Sequence, residues 1–305
     1  MRPLLLACVL LLACGCTAQA RVAPALAPAS DRSGPLAGLA VPQTVPPTGP
    51  QQAGIAAAEA ALGVHVELVH LFRPYPEPLL PPDAATIAAT HTMVLSWNGG
   101  DLAAVASGAE DSWIREQARA VAASGLPVYL RLRWEMNRPN LRTRIAPATY
   151  VAAWRRAHAL FDEAGAINVR WVWCPLANGF DAAQASAYYP GDDEVDWLCA
   201  DAYATDALTP LAQLMAPVLA WARGHHKPMM IAEYGVPRSV PDVDRASWLR
   251  AAGAWLTGQH EIRAALYFDI DADPATPDLQ FGLDAGSQAA AAFAAMGTTG
   301  TGASG

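Results

Sequence analysis

The sequence predicts an α/β fold, a (β/α)8 TIM barrel that forms a single domain. Eight short apolar runs alternate along the chain with stretches of helical spacing. The ~265 residues that carry them fit the usual size of one such barrel. A doubly wound open sheet is the alternative, but residues 42–50 (PQTVPPTGP) lack the glycine-rich phosphate turn of that fold. The predicted strands are Leu36–Val41, Val64–Leu71, Thr92–Trp97, Pro127–Arg133, Val169–Cys174, Val195–Ala200, Pro228–Ala232 and Ala264–Phe268.

Helical stretches separate these strands. Asp111 is a good N-cap for a helix that ends before Gly125. Pro147 suits the first turn of a helix that stops at Gly165. The second and fifth strands are followed only by short, poorly patterned helical stretches. The predicted helices are Gln51–Leu62, Asp111–Ser124, Pro147–Ala164, Leu208–Arg223, Asp242–Gly258 and Ser287–Met296, with the short ones around Ala84–Ala89 and Ala182–Ala187.

The first residues indicate an export signal. Leu4–Ala13 is a ten-residue apolar run after a basic start, which is too short to cross a bilayer. Cys14 and Cys16 follow small residues, a pattern that resembles a bacterial lipoprotein cleavage site, and Cys16 is the predicted lipidation site. Cleavage of an ordinary signal a few residues later is the alternative. We therefore expect an exported protein, secreted or held at the cell envelope, that meets a membrane only through a lipid anchor.

Composition divides the chain into four segments. Residues 1–16 are the predicted signal and lipid-attachment segment, and residues 34–296 are the predicted barrel domain. Residues 17–33 are rich in Ala and Pro and residues 297–305 in Gly, Thr and Ser. Neither can bury much apolar surface, so we predict a disordered linker and a disordered tail.

Charge and cysteine content limit the partners. The net charge is −8, with 28 acidic against 20 basic residues, so we expect no nucleic-acid partner. We expect a monomer without a cofactor. Cys174 and Cys199 are the only cysteines after the leader. An exported location permits a disulfide between them, and buried free thiols are equally open. No His lies at ligand spacing from these cysteines, so no metal site is predicted.

The residues that follow the strands are the candidate functional groups, because barrel enzymes use the carboxyl ends of their strands. They combine aromatic rings with carboxylates: Phe72, Trp97, Glu135, Trp173, Asp201, Tyr203, Glu233 and Asp269. Glu233 ends a wholly apolar strand, where a carboxylate is costly unless it is paired. It could instead form a structural ion pair, and Glu135 could merely pair with Arg131 or Arg133. Two glutamates facing one cleft suit cleavage of a glycosidic bond, one as the acid and the other as the nucleophile.

Several segments resemble glycoside hydrolase family 26. YLRLRWEMN, around Glu135, is similar to the acid/base segment of that family, and KPMMIAEYG, around Glu233, is similar to its nucleophile segment. GAEDSW resembles its helix start after strand three, and RWVWCP and YYPGDDEVDWLCADAY resemble its stretches through strands five and six. The likeness covers residues 36–285 in order. The family is known mainly for endo-acting β-1,4-mannanases, with β-1,3-xylanases and mixed-linkage glucanases.

The resemblance implies a retaining glycoside hydrolase that acts on a β-linked polysaccharide. Glu135 would be the acid/base and Glu233 the nucleophile. Tyr203 matches a tyrosine that hydrogen-bonds the nucleophile. The remaining predicted substrate-binding positions are Trp97, Arg131, Trp134, Asn137, Trp173 and Asp201.

Two departures from the family leave the sugar open. Trp134 stands where the family usually has His, and Arg138-Pro139 follows Asn137 where Gly is usual. Arg138, Arg142 and Arg144 form a basic cluster, and arginine recognises carboxylates well. An acidic exopolysaccharide is therefore one hypothesis, and a solvated loop is the other. A barrel that binds sugar without catalysis and a glycosyl-transferring enzyme are the competing functions.

Overall fold

The computed structural model describes residues 34–41, 49–142, 145–204, 207–272 and 275–298. Eight parallel strands close into one barrel in sequence order, which confirms the predicted fold class. The strands are β1 Leu36–Ala40, β2 Leu68–Arg73, β3 Thr92–Trp97, β4 Val128–Leu132, β5 Val169–Trp173, β6 Trp197–Tyr203, β7 Met229–Gly235 and β8 Ile262–Phe268.

The helices form the outer layer. They are α1 Gln52–Leu62, α2 Ala84–Ala88, α3 Leu102–Ser107, α4 Asp111–Ser124, α5 Pro139–Arg142, α6 Pro147–Glu163, α7 Ala182–Ser186, α8 Leu211–Ala222, α9 Asp242–Thr257 and α10 Gln288–Thr298. The sequence did not predict α3, whose N-cap Asp101 accepts a hydrogen bond from the backbone of Ala103, or α5. Helix α8 begins three residues later than predicted because Leu208 has a left-handed φ of 49° and Pro210 sets the start of the helix.

Alternation along the strands divides the core into two layers. Side chains such as Leu68, Val94 and Met230 fill the inside of the barrel, while their neighbours pack against the helices. Gly38 on β1 makes room inside, because a Cβ there would lie 2.4 Å from Cγ of Leu266.

The predicted leader, lipidation site Cys16 and linker, residues 1–33, lie outside the described residues, as do residues 299–305 of the predicted tail. Helix α10 runs to Thr298, two residues beyond the predicted end of the domain. None of the described helices is long and apolar enough to cross a membrane.

Candidate active site

A cavity of about 710 Å³ opens at the carboxyl end of the barrel. Glu135 and Glu233 both line it, as do two other predicted strand-end residues, Phe72 and Tyr203. The lining side chains are Phe72, Trp134, Glu135, Arg138, Leu176, Asn178, Tyr203, Glu233, Pro237, Phe268, Asp278, Leu279 and Phe281, with Ala204 and Ala272. The structure thus brings the two predicted glutamates, far apart in sequence, to one pocket walled by aromatic rings.

Glu233 is held by donors on both of its oxygens. Nη1 of Arg131 donates to Oε1 at 2.7 Å, and the hydroxyl of Tyr203 donates to Oε2. The backbone of Tyr203 is in turn fixed by the Asn178 side chain, which accepts from its N–H at 2.9 Å and donates to its C=O at 2.7 Å. Glu233 is 3 % exposed, so these bonds replace water around an almost fully buried carboxylate.

Arg131 lies beneath the cavity and joins two carboxylates. Its Nη2 pairs with Asp201, and its Nη1 with Glu233. A register shift between Ala200 and Asp201 sets Asp201 opposite Glu233 on the neighbouring strand, which brings both within reach. Burial lowers the pKa of Arg131, but the adjacent carboxylates more than offset it and the pKa is raised.

His70 completes this buried network. Its Nε2 lies 3.1 Å from Nη1 of Arg131 and 2.6 Å from Oγ of Ser96. Burial and the Arg131 charge hold the pKa of His70 well below its usual range, so the ring is neutral. Arginine can only donate, so Nε2 accepts and the ring proton sits on Nδ1, 4.0 Å from Oε1 of Glu233.

Glu135 sits on a distorted end of β4 rather than on a regular strand. Arg133 and Glu135 have left-handed φ values of 44° and 53°, and the N–H of Glu135 donates to the C=O of Cys174 at 2.7 Å. This turn directs the side chain over the mouth of the barrel. Its Oε2 pairs with Arg138, three residues along, and its buried Oε1 has no hydrogen-bond partner among the described residues.

Burial, reinforced by the Glu233 charge, raises the pKa of Glu135 to about 7, while Arg138 and Arg131 oppose the rise. Glu135, Asp201 and Glu233 each offer a carboxylate oxygen within 4.8 Å of the others. One carboxylate is therefore poised to hold a proton near neutral pH. The other, Glu233, receives a hydrogen bond on each of its oxygens.

The ion-pair alternatives drawn from the sequence are partly realised. Glu233 does pair with Arg131, and it still lines the cavity. Glu135 pairs with Arg138 and not with Arg133, whose Nη2 donates to the C=O of Gly100 at 2.7 Å.

Trp97, Trp173 and Asn137, predicted to bind substrate, do not line the cavity. The Trp97 ring packs against Trp113, in the layer between the barrel and the helices. Trp173 lies in the same layer and donates to the C=O of Tyr188 at 3.2 Å. The Asn137 side chain bonds the Leu176 backbone: its Nδ2 donates to the C=O at 2.9 Å and its Oδ1 accepts from the N–H at 2.7 Å. A strand-end position does not fix which face a ring points to, so we assign these three to packing and to support.

Sequence reasoning missed part of the cavity wall. Phe268 ends β8, so its strand-end position could have identified it. His70 could have been identified as a polar residue within the apolar run of β2. Leu279 ends a single 3-10 turn, Pro277–Leu279, and Phe281 follows two residues later; the sequence after β8 shows no apolar run or helical spacing that would have predicted either. Asp269, named from the strand ends, instead accepts from the backbone N–H of Leu283 at 2.6 Å.

Two groups of described side chains could ligate a metal, besides Asp201 with Cys174 and Cys199, whose sulfurs are bonded to each other. In the cavity group, Glu135, Asp201 and Glu233, the guanidinium of Arg131 already supplies the positive charge that a cation would bring. The second group lies at the opposite end of the barrel, where Glu59 contacts His65 at 2.9 Å and His91 at 3.1 Å. That no metal or cofactor is needed stays a prediction.

The two body cysteines, left open by the sequence, are joined. Cys174 and Cys199 form a disulfide between β6 and the residue after β5, with their Cα atoms 4.3 Å apart. Sγ of Cys174 lies 3.4 Å from Oδ1 of Asp201, and Cys174 also supplies the carbonyl that holds Glu135.

Comparison with known proteins identifies the family of this barrel. A family model described as "Glycosyl hydrolase family 26" matches residues 82–248. The chain belongs to this family. Among curated relatives, a β-1,3-xylanase from Vibrio sp. is 31% identical over 147 residues, covering 44% of this chain and 29% of that protein. Endoglucanase H from Acetivibrio thermocellus is 24% identical over 249 residues, covering 72% of this chain and 27% of that protein. The chain thus spans less than a third of the length of the curated relatives it matches.

Solved family 26 barrels share the fold. A β-mannanase from Bacteroides ovatus aligns with a TM-score of 0.62 and 16% identity, covering 87% of this chain and 88% of that one. The modular endo-β-1,4-mannanase from Cellulomonas fimi aligns with a TM-score of 0.63 and 18% identity, covering 87% and 71%. At these identities the likeness establishes the architecture, and the substrate has to be argued from this site.

Proposed function

We propose that this chain is a retaining glycoside hydrolase that cleaves β-linked glycans, with Glu233 as the nucleophile and Glu135 as the general acid/base. One observation carries the proposal: oxygens of the two carboxylates lie within 4.8 Å of each other in one cavity. Retaining enzymes keep their carboxyl groups ~5–5.5 Å apart, whereas inverting enzymes need ~6.5–9.5 Å to admit a water molecule between them.

In the first step, Oε of Glu233 attacks the anomeric carbon and the bond to the glycosidic oxygen breaks. Glu135 gives its proton to that oxygen, and the leaving sugar departs with a free hydroxyl. A glycosyl ester on Glu233 remains. The raised pKa of Glu135, about 7, suits a group that must hold a proton before this step.

In the second step, the ionised Glu135 takes a proton from water as the water attacks the same carbon. The ester bond breaks, Glu233 leaves as a carboxylate, and the configuration of the sugar is retained. Arg131 and Tyr203 are positioned to stabilise that carboxylate before and after the reaction.

A polysaccharide substrate suits the cavity wall. Phe72, Trp134, Phe268 and Phe281 present apolar ring surface against which the flat face of a sugar can stack. β-1,4-Mannan is the first glycan to test, because the family 26 structures that share this fold include mannanases. β-1,3-Xylan and β-glucan follow, because relatives are named as a xylanase and an endoglucanase.

We also infer that the protein acts outside the cytoplasm as a monomer. The apolar run Leu4–Ala13 and the cysteines after it support an export signal with a lipid on Cys16. The Cys174–Cys199 disulfide fits an oxidising compartment.

The test is a glycan panel of mannan, β-1,3-xylan and mixed-linkage β-glucan. We expect the wild type to release reducing sugars from at least one of them and Glu233→Ala to release none. Glu116→Ala, which removes an exposed carboxylate on α4, should behave as the wild type. NMR of the first product should show the β-anomer. Equal rates in wild type and Glu233→Ala would refute the nucleophile, and a first product of α configuration would refute retention. Tight binding of a glycan without products would favour the sugar-binding barrel.

A further inference from the structure

Among the described residues, Arg138 is the one cation that lines the cavity and pairs with the proposed acid. It pairs with Oε2 of Glu135 from only three residues away. The Arg138 side chain is 42% exposed, whereas the Glu135 side chain is 4% exposed. The carboxylate is thus enclosed while its partner faces the space that a substrate would fill.

This ion pair opposes the proposed chemistry. A guanidinium beside a carboxyl group favours the ionised form, yet Glu135 must be protonated before it can act as an acid. The other charges that face Glu135 are Glu233, Arg131 and Asp201, and both arginines favour its ionised form. Arg131 has two other carboxylates as partners, so it keeps them when Glu135 becomes neutral. Arg138 would be left without a counter-ion.

A carboxylate on the substrate would supply that counter-ion. We infer that Arg138 selects glycans that carry a carboxylate close to the scissile bond, and that the bound carboxylate takes Arg138 away from Glu135. This inference rests on the proposed glycosidase function and narrows its substrate to uronate-bearing glycans. Guanidinium and carboxylate match as a bidentate pair, and an exposed arginine can exchange one carboxylate partner for another.

The exchange is coupled to a proton. As the substrate carboxylate pairs with Arg138, Glu135 takes up one proton from solvent and becomes the acid that the first step requires. A neutral glycan leaves the Glu135–Arg138 pair in place, so a smaller fraction of the enzyme holds the proton. Of the three arginines in the predicted basic cluster, Arg138 alone has a described side chain, and it carries the argument by itself.

The experiment compares β-1,4-mannan oligosaccharides with the same oligosaccharides oxidised at C6, which differ only by the carboxylates. We expect the wild type to favour the oxidised probe in kcat/KM by at least about tenfold at pH 7.5, the factor that ~1.4 kcal/mol provides. Arg138→Gln should remove this preference, because it lowers kcat/KM on the oxidised probe far more than on the neutral one. Arg138→Lys, which keeps the charge without the planar fork, should retain part of the preference. Arg223→Gln, an equal loss of charge from an exposed pair with Glu261 beyond the other end of the barrel, should leave the preference intact.

Equal kcat/KM for the two probes would overturn the inference, as would a loss of activity in Arg138→Gln that is the same on both. In either case the hydrolysis of mannan would leave the proposed function standing. If neither probe is cleaved, calorimetric binding to Glu233→Ala decides the inference separately. Tighter binding of the oxidised probe, with net proton uptake, supports it. Equal binding of both probes, or no proton uptake, overturns it.

Discussion

The ends of β4 and β7 present one glutamate each to the same cavity, and they hold them in opposite ways. Glu233 lies within strand β7, with a buried arginine and a tyrosine on its two oxygens. Glu135 lies past the end of β4 with a left-handed backbone, a single half-exposed arginine partner and one unpartnered oxygen among the described residues. A fixed, fully bonded carboxylate suits a nucleophile, whereas an incompletely bonded one can gain and lose a proton. The asymmetry of support therefore matches the asymmetry of the proposed roles.

The largest expected effect breaks the support of Glu233. Arg131→Met should destabilise the fold by about 3–5 kcal/mol, because it leaves Asp201 and Glu233 buried without their cation. Arg138→Met, at the other glutamate, should cost less than about 1 kcal/mol, because that pair is open to solvent on one side. Urea unfolding at pH 7 measures both. Similar losses in the two variants would contradict the comparison.

The second effect concerns pH. Burial raises the pKa of Glu135 from 4.5 to about 7, so the folded chain keeps a proton that the unfolded chain releases. The free energy of unfolding therefore falls as pH rises through this window, by about 3.5 kcal/mol at ~1.4 kcal/mol per pH unit. Glu135→Gln should lack this fall and gain stability over the wild type at pH 8 but not at pH 4. Glu116→Gln, on the exposed face of α4, should follow the wild type. If the free energy of unfolding depends on pH in the same way in wild type and Glu135→Gln, the pKa of Glu135 is not raised by the fold.

A smaller effect removes one bond to Glu233. Tyr203→Phe should lower kcat/KM about 10- to 100-fold, because a hydrogen bond to a charged group contributes ~1.5–3 kcal/mol. Tyr189→Phe, which removes a hydroxyl bonded to Asp192 on the outer face, is the matched control and should leave the kinetics unchanged. An unaltered kcat/KM in Tyr203→Phe would mean that the tyrosine does not act on the nucleophile.

The smallest expected effect separates the cavity rings from the packing rings. Trp134→Ala should raise KM about 3- to 10-fold, since a stacking contact contributes ~0.5–1.5 kcal/mol, with only a minor loss of stability because the ring is half-buried. Trp173→Phe should lower the melting temperature and leave KM unchanged, because the ring packs between the barrel and the helices. A raised KM in Trp173→Phe would show that Trp173 affects substrate binding, and that the binding site extends beyond the residues that line the cavity.

The sequence predicted the eight strands and the two glutamates because both depend on patterns that are local in the chain. Apolar runs mark the buried strands, and a carboxylate directly after such a run marks the reactive end of the barrel. It did not predict that Trp97 and Trp173 face the helices, because direction at a strand end depends on twist and on small local irregularities. Nor did it pair Arg138 with Glu135, since that contact needs the left-handed turn at Glu135, which a non-glycine residue seldom adopts.

The disulfide between Cys174 and Cys199 connects residues next to the candidate site, and it can form only under oxidising conditions. Cys199 lies on β6, the strand that carries Asp201. Cys174 precedes Pro175, whose carbonyl accepts a hydrogen bond from the Asp201 amide, and the carbonyl of Cys174 itself accepts one from the Glu135 amide. Since a reducing cytosol keeps thiols apart, a polypeptide that folds before it is translocated would assemble its pocket without this cross-link. If the protein is exported as proposed, the cross-link beside Asp201 would form only when the chain reaches an oxidising compartment.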